Sequence, residues 1–322
     1  MPNQSKPLAI YHEHPEWFKP LFRELDRRSV SYVSIDAKTH SYDPGNQIER
    51  DLYGIFFNRM SPSAYLRGAG NGIFYTLGYV HHLERLGIRV INGSRAYLNE
   101  INKGMQLQLL SGLGLGYPRA SVINDASLAA QAAANLRFPV VVKANIGGSG
   151  AGIVRYDTME ELTDAVNKGV VNLGIDHTAL VQEYVAPRGG YITRVETIGG
   201  KYVYAINVHT TGDSFNLCPA DICQTTGGVE LERSTCPVDA PRTGLKVEAY
   251  TPPKEVIGAV EAIAQSAGID VGGIEYMVDD RDGSILYYDI NALSNFVADA
   301  PNVIGFDPHV NLADYLISEA RN

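Results

Sequence analysis

Apolar residues recur along the first ninety positions in two textures. Short β-branched and aromatic runs read as strands: "LAIYH" (8–12), "VSYVSID" (30–36), "YGIFFNRM" (53–60) and "RVING" (89–93). Between them, "PEWFKPLFRELDRR" (15–28), with Pro20 disturbing it, and "IFYTLGYVHHLERLG" (73–87) carry helical spacing. Strands separated by crossover helices imply a parallel sheet with helices on its faces. Residues 95–111 continue as a helix, which "GLGLGYP" (112–118) ends with glycines and a proline. A small α/β unit follows: strand "RASVI" (119–123), a helix at 126–136, two apolar runs around a glycine cluster, a helix at 159–168 and strand "TALVQEYV" (178–185). Thr158 and Glu161 fit a capping box ahead of the second of these helices. From 190 the strands lengthen, with Gly199-Gly200 as the hairpin turn of "YITRVETIGGKYVYAINVHTT" (191–211). Pro252 and Pro253 open a helix that stops at Gly268; strands "GGIEYMVDD" (272–280) and "SILYYDINA" (284–292) and a closing helix, "NLADYLISEA" (311–320), complete the chain. The pattern divides into an α/β part (1–95), a central part (96–185) and an α+β part (186–322), without internal repeats.

Composition narrows the partners. The 322 residues suit two or three domains, and 45% hydrophobic with 20% charged residues is ordinary for a globular chain. A net charge of −9 repels nucleic-acid phosphates over most of the surface. No run is long and apolar enough to span a bilayer, and "MPNQSKPLAIYHEHPEW" lacks a signal-peptide core, so the expected protein is cytoplasmic and has no membrane partner. Cys218, Cys223 and Cys236 are too few for a disulfide framework, and C-x4-C with C-x12-C lacks the paired C-x2-C of a zinc site. They read as ordinary thiols. His12, His14, His81 and His82 form no H-E-x-x-H pattern and read as solvated or core residues.

The chemistry concentrates around "VVKANIGGSGAGIVRY" (141–156). Glycines let successive backbone N–H groups converge on an anion. A Walker A loop would need a lysine after the glycines, and a G-x-G-x-x-G starting at Gly148 and Gly150 meets Ile153 at its third position. Both flanks are strand-like, so the glycines sit at a hairpin tip, either a mobile flap or a plain turn. Lys143 ends the entering strand and Lys103 lies on the preceding helix. Asp289 and Asn291, at i and i+2, share one face of a strand, and Glu275 lies on its neighbour across the "DDRDGS" turn. Three oxygen ligands on one sheet face suit Mg²⁺. Taken singly, each residue has a plainer role: Lys103 a solvated helix lysine, Lys143 an edge residue, Glu275 and Asp289 strand-face charges, Arg194 and Arg59 ion-pair partners.

Taken in order, "FFNRMSP", "NEINKGMQLQLLSGLGLGYPRA", "FPVVVKANIGGSGAGI", "VQEYV" and "YYDINA" resemble the ATP-grasp superfamily over nearly the full length, most closely its RimK-like branch of carboxylate–amine ligases. The resemblance implies a three-domain fold, α/β with an α+β C-terminal part, in which an N-terminal parallel-sheet domain precedes two α+β subdomains that hold the nucleotide between them. It implies that Lys103 and Lys143 bind phosphates, that Gly147, Gly148, Ser149 and Gly150 belong to a covering flap, and that Gln182, Glu183, Tyr184 and Val185 hold the adenine, the backbone of Glu183 and Val185 reading its edge. Glu275, Asp289 and Asn291 match the ligands of Mg²⁺ (or Mn²⁺), Arg194 an arginine near the transferred phosphate, and Arg59 an arginine facing the substrate. Two departures stand out: "RGGYITR" has no acid just before Arg194, which removes the expected ribose contact, and "FNLCPADIC" lacks the arginine of the family's Asn-x-x-Arg-Gly-Gly. The family's glutamate-type substrates are therefore not carried over. The implied activity is ATP-dependent joining of a carboxylic acid, amino acid or peptide to an amine through an acyl phosphate, in a protein that admits a homodimer or homotetramer. The rivals are a small-molecule kinase on the same fold and a nucleotide-binding regulatory module without turnover.

Overall fold

The computed structural model describes residues 6–147, 152–209 and 246–321. Its first sheet comprises β1 (Leu8–His12), β2 (Tyr32–Asp36), β3 (Ile55–Arg59) and β4 (Val90–Ile91), in the order β2-β1-β3-β4. Every pairing is parallel, as the interposed helices α1 (Lys19–Arg27), α2 (Glu49–Leu52) and α3 (Gly70–Arg85) require. The helix expected over 15–28 divides just ahead of Pro20, and α1 begins only at Lys19. Pro20 stands in the first turn of α1, where a missing N–H costs nothing, and a separate 3₁₀ turn occupies Pro15–Phe18.

The single helix expected over 95–111 is two, α4 (Ser94–Glu100) and α5 (Lys103–Gly112). Asn102 interrupts them in an extended conformation, its side chain accepting the Met105 N–H at 2.9 Å. Asparagine competes with a helical backbone in mid-helix but satisfies an orphan donor at an N-cap. The break makes Lys103 the first residue of α5.

The second sheet is antiparallel, β5-β8-β6-β7, from β5 (Ala120–Ile123), β6 (Val140–Ala144), β7 (Val154–Tyr156) and β8 (Ala179–Glu183). One face is covered by α6 (Ala129–Ala133) and α7 (Met159–Asn167). The helix expected over 126–136 is shortened by a 3₁₀ turn at Ala126–Leu128. β6 and β7 pair as the glycine hairpin, Val140 opposite Tyr156 and Val142 opposite Val154. The capping box of α7 closes one residue early: Thr158 accepts from Glu161 N–H, while the Glu161 carboxylate takes the Asp157 N–H at 2.7 Å.

The third sheet, β11-β10-β9-β12-β13, is antiparallel, with β9 (Tyr191–Ile198), β10 (Lys201–His209), β11 (Val247–Tyr250), β12 (Val271–Val278) and β13 (Ile285–Asn291). Gly199 and Gly200 turn the β9–β10 hairpin at φ +62° and +67°, which side chains resist. α8 (Lys254–Ala267) follows the two prolines, and α9 (Ala300–Val303) and α10 (Pro308–Glu319) end the chain. One apolar cluster joins Leu8, Ile10 and Leu21 to Ile192 and Val271 on the third sheet and to Leu312 and Leu316 on α10. A second joins Leu107 and Leu110 on α5 to Val256 on α8 and Ile290 on β13. These contacts draw the three sheets around one polar region. No helix among the described residues is long and apolar enough to cross a membrane.

Candidate functional site

Two cross-strand rows on one face of the third sheet gather the candidate residues. In the first, Arg194 on β9 faces Glu275 on β12, which faces Asp289 on β13. In the second, Glu196, Gly273 and Asn291 line up in the same way. A bulge after the Glu275–Asp289 pair lets the Tyr288 hydroxyl donate to Glu275 Oε2 at 2.8 Å. The Arg194 guanidinium, buried, donates to Glu196 Oε1 at 2.6 Å, to Glu275 Oε1 at 3.3 Å and to the Ser294 hydroxyl, which in turn donates to Glu196 Oε2. Gly273 makes room for this network. A Cβ there would lie 2.9 Å from both Glu196 Oε1 and Ser294 Oγ.

Two lysines enter from outside the sheet. Lys103 Nζ donates to Asp289 Oδ1 at 2.5 Å. Asn145, just past β6, accepts the Gly104 N–H on its side chain at 3.0 Å, which ties the start of α5 to the strand bearing Lys143. Lys143 is buried, and its ammonium is pushed down to about 7 by burial and by Lys103, against the pull of Asp289 and Glu275. Burial pushes Asp289 up, but Lys103 beside it, together with Lys143 and Arg194, outweighs burial and leaves the carboxyl below its ordinary range. Glu275 goes the other way, because burial there outweighs Arg194. A cluster so perturbed by burial and by specific charge partners has the pattern of a candidate functional site.

The second sheet presents Gln182 on the same face as Val141 and Lys143. Gln182 is fully buried, and neither atom of its carboxamide has a hydrogen-bond partner among the described residues. A buried polar group left unmade costs about 1–3 kcal/mol, so it calls for a ligand. The Glu183 N–H donates to the Arg119 carbonyl at 2.8 Å and the Tyr184 N–H to the Pro139 carbonyl at 2.9 Å. Of these hinge donors, the Val185 N–H is left without a protein acceptor among the described residues. The Glu183 carboxylate turns away to the Arg137 N–H at 3.0 Å and the Arg119 guanidinium. Arg155 stacks on the Tyr184 ring, 4.7 Å from its centroid.

Arg59 lies at the end of β3 with its guanidinium on the loop after β13, donating to the carbonyls of Ala292 (3.2 Å) and Ser294 (2.6 Å) and to the Asn295 side chain. Gly147 is buried at the end of the entering segment. Gly148, Ser149, Gly150 and the three cysteines lie outside the described residues, as does "FNLCPADIC". Among the described residues no three His, Cys, Asp or Glu side chains group around a metal position. The donor set on offer is two carboxylates and an amide. Asn291 Nδ2 is buried without a hydrogen-bond partner among the described residues, so none of them holds the amide nitrogen in place, and the set fits a hard divalent ion.

Sequence reasoning passed over Glu196, Ser294, Tyr288, Gln106 and Glu100. Glu196 had a signal, its i+2 spacing from Arg194 in "TRVET". The others reach the site across 100 residues or from the opposite side of a strand, and nothing local marks them.

Residues 100–217 match the RimK-like ATP-grasp domain. A probable α-L-glutamate ligase 1 of Pseudoalteromonas atlantica is 31% identical over 177 residues, covering 54% of this chain and 58% of that protein. N-acetylaspartylglutamate synthase A of Homo sapiens is 28% identical over 253 residues, covering 76% of this chain and 56% of that one. The chain thus spans a little over half the length of these curated relatives. Among solved structures, the ATP-grasp ligase PsnB complexed with minimal precursor superposes with a TM-score of 0.67 at 17% identity, covering 98% of this chain and 99% of that chain.

Proposed function

We propose that this chain, a member of the RimK-like ATP-grasp family, is an ATP-dependent carboxylate–amine ligase. The observation that carries the reading is the buried Arg194–Glu275–Asp289 row met by Lys103 and Lys143. Three cations and two carboxylates gathered from five distant positions serve the handling of phosphate charge. Structural ion pairs would need no second lysine held near neutrality.

Lys103 and Lys143 neutralise the phosphates, and excluding water, which would hydrolyse an acyl phosphate, is the task that the sequence assigns to the glycine segment 147–150. Gln182, with its unpartnered carboxamide, and the hinge Glu183–Tyr184–Val185, with the Val185 N–H, take the adenine. Glu275, Asp289 and Asn291 would hold Mg²⁺ (or Mn²⁺), which would supply neutralisation of phosphate charge. Arg194, fixed by Glu196 and Ser294, lies beside the group transferred. Arg59 places the 292–295 loop against the substrate side. The acid's carboxylate oxygen bonds to the terminal phosphorus as the bond to ADP breaks. The amine then bonds to the acyl carbon, phosphate leaves with the shared oxygen, and the nitrogen gives up one proton. The acid and the amine are of amino-acid or peptide type. The glutamate in the relatives' names is not transferred, because "FNLCPADIC" carries no basic residue.

Hydroxylamine in place of the amine, with ATP, Mg²⁺ and a panel of acids, should yield a hydroxamate with equal ADP and phosphate. A stable phosphorylated product without free phosphate would make the protein a kinase, and AMP would exclude both.

A further inference from the structure

β13, which bears Asp289 and Asn291, is the outer strand of its sheet, and among the described residues no strand pairs with its far side. Side chains and loop backbone take that place. Gln106 is buried on α5; its Nε2 donates to the Ile290 carbonyl and to the Asn99 carbonyl, each at 2.8 Å, and its Oε1 accepts the Ile290 N–H at 3.2 Å. Ile290 is the residue between Asp289 and Asn291. Just beyond, Glu100 at the end of α4 accepts the N–H groups of Ala292 and Leu293. On the other side the Tyr287 N–H donates to the Gly116 carbonyl at 2.9 Å. Gln106 also lies one turn from Lys103 on the same face of α5, and Lys103 reaches Asp289.

We propose that Gln106 is a positioning residue: by closing both backbone bonds of Ile290 it sets the register of Asp289 and Asn291 against each other and against Lys103. An amide can do this because it carries one donor and one acceptor on a single planar group, as a neighbouring strand would. The inference rests on the reading of Asp289 and Asn291 as metal ligands and goes beyond it. A group that holds a ligand's carrier commonly changes metal affinity about 10–100-fold when removed.

The test measures Mn²⁺ binding by electron paramagnetic resonance, with a non-hydrolysable ATP analogue and full-length protein below its unfolding temperature. Gln106→Met, similar in volume and without the amide, should weaken Mn²⁺ about tenfold or more. Binding of the nucleotide analogue measured in chelator should be unchanged. Leu107→Ala, on the same helix and in its apolar contact, is the control for lost stability and should keep wild-type Mn²⁺ affinity. Should Gln106→Met fail to fold, Gln106→Glu keeps the acceptor for the Ile290 N–H, deletes the donor, and should show the same loss. Wild-type Mn²⁺ affinity in the Gln106 variant, or an equal loss in Leu107→Ala, would overturn the positioning role. Failure of the wild type to bind Mn²⁺, or unchanged binding in Asp289→Asn, would instead remove the metal reading on which the role rests.

Discussion

Lys143 shows how a single side chain acquires a task from its surroundings. Burial and Lys103 leave its ammonium titrating at about 7, so at pH 8 the empty site holds it largely neutral. Phosphate oxygens would restore it to the ordinary lysine range. Binding must then take up protons, and affinity falls as pH rises above 7. Calorimetry in buffers of different ionisation enthalpy should find an uptake of about one proton at pH 8. Lys143→Met should abolish the uptake and weaken ATP about tenfold or more, the loss of one charge-assisted bond. Unchanged uptake in that variant would show that another group titrates. Gly273 is the converse case, a residue whose value is an absent atom. In Gly273→Ala the new Cβ meets Glu196 and Ser294 at 2.9 Å, so Arg194 loses its frame. Overpacking of this kind costs about 1–3 kcal/mol, and kcat should fall more than KM for ATP rises, since Arg194 acts on the charge that develops in transfer. A variant with normal kcat would detach Arg194 from the chemistry.

At the scale of elements, sequence texture located the strands, β11 apart, and placed helix boundaries less well. Strands announced themselves because their β-branched runs are short and bounded by glycine, proline or polar residues. The helix over 95–111 kept its apolar spacing across Asn102, and periodicity cannot see a one-residue interruption that preserves the face. That interruption is what sets Lys103 at the start of α5. Asn102→Ala should therefore cost about 1 kcal/mol of stability through the lost cap. It should also weaken ATP more than an equally destabilising change elsewhere, with both effects read by thermal melts and nucleotide titration. The hairpin at Gly199-Gly200 and the stop of α8 at Gly268 were legible for a plainer reason, since only glycine takes their positive φ without strain.

For the whole molecule, buried titratable groups decide how stability responds to acid. His12, His14, His40 and His309 are all lowered, chiefly by burial, so below 6.5 the unfolded chain takes up protons that the folded chain refuses, and stability is lost. Glu100 and Glu275 oppose this, because burial raises them and the folded state protonates first. The two sets act against each other between pH 6.5 and 4.5, and a urea midpoint lower at pH 5.5 than at 7.5 is the outcome expected if the histidines, the more numerous set, dominate. An equal or higher midpoint would mean that the carboxyls dominate. The sequence by itself determined the order of elements, the parallel first sheet, the hairpins, and the identity of Lys103, Lys143, Glu275, Asp289 and Asn291 as candidates, because period, turn chemistry and i, i+2 spacing are local properties; Arg194 came forward only through the family resemblance. Only the tertiary structure decided that the first and third parts share one apolar cluster, that Arg59 grips the loop after β13, and that Gln106 and Glu100 stand in for a missing strand. Those contacts join residues 180 or more positions apart, and which of many buried amides or carboxylates meets which backbone is settled by packing, on which no local pattern bears.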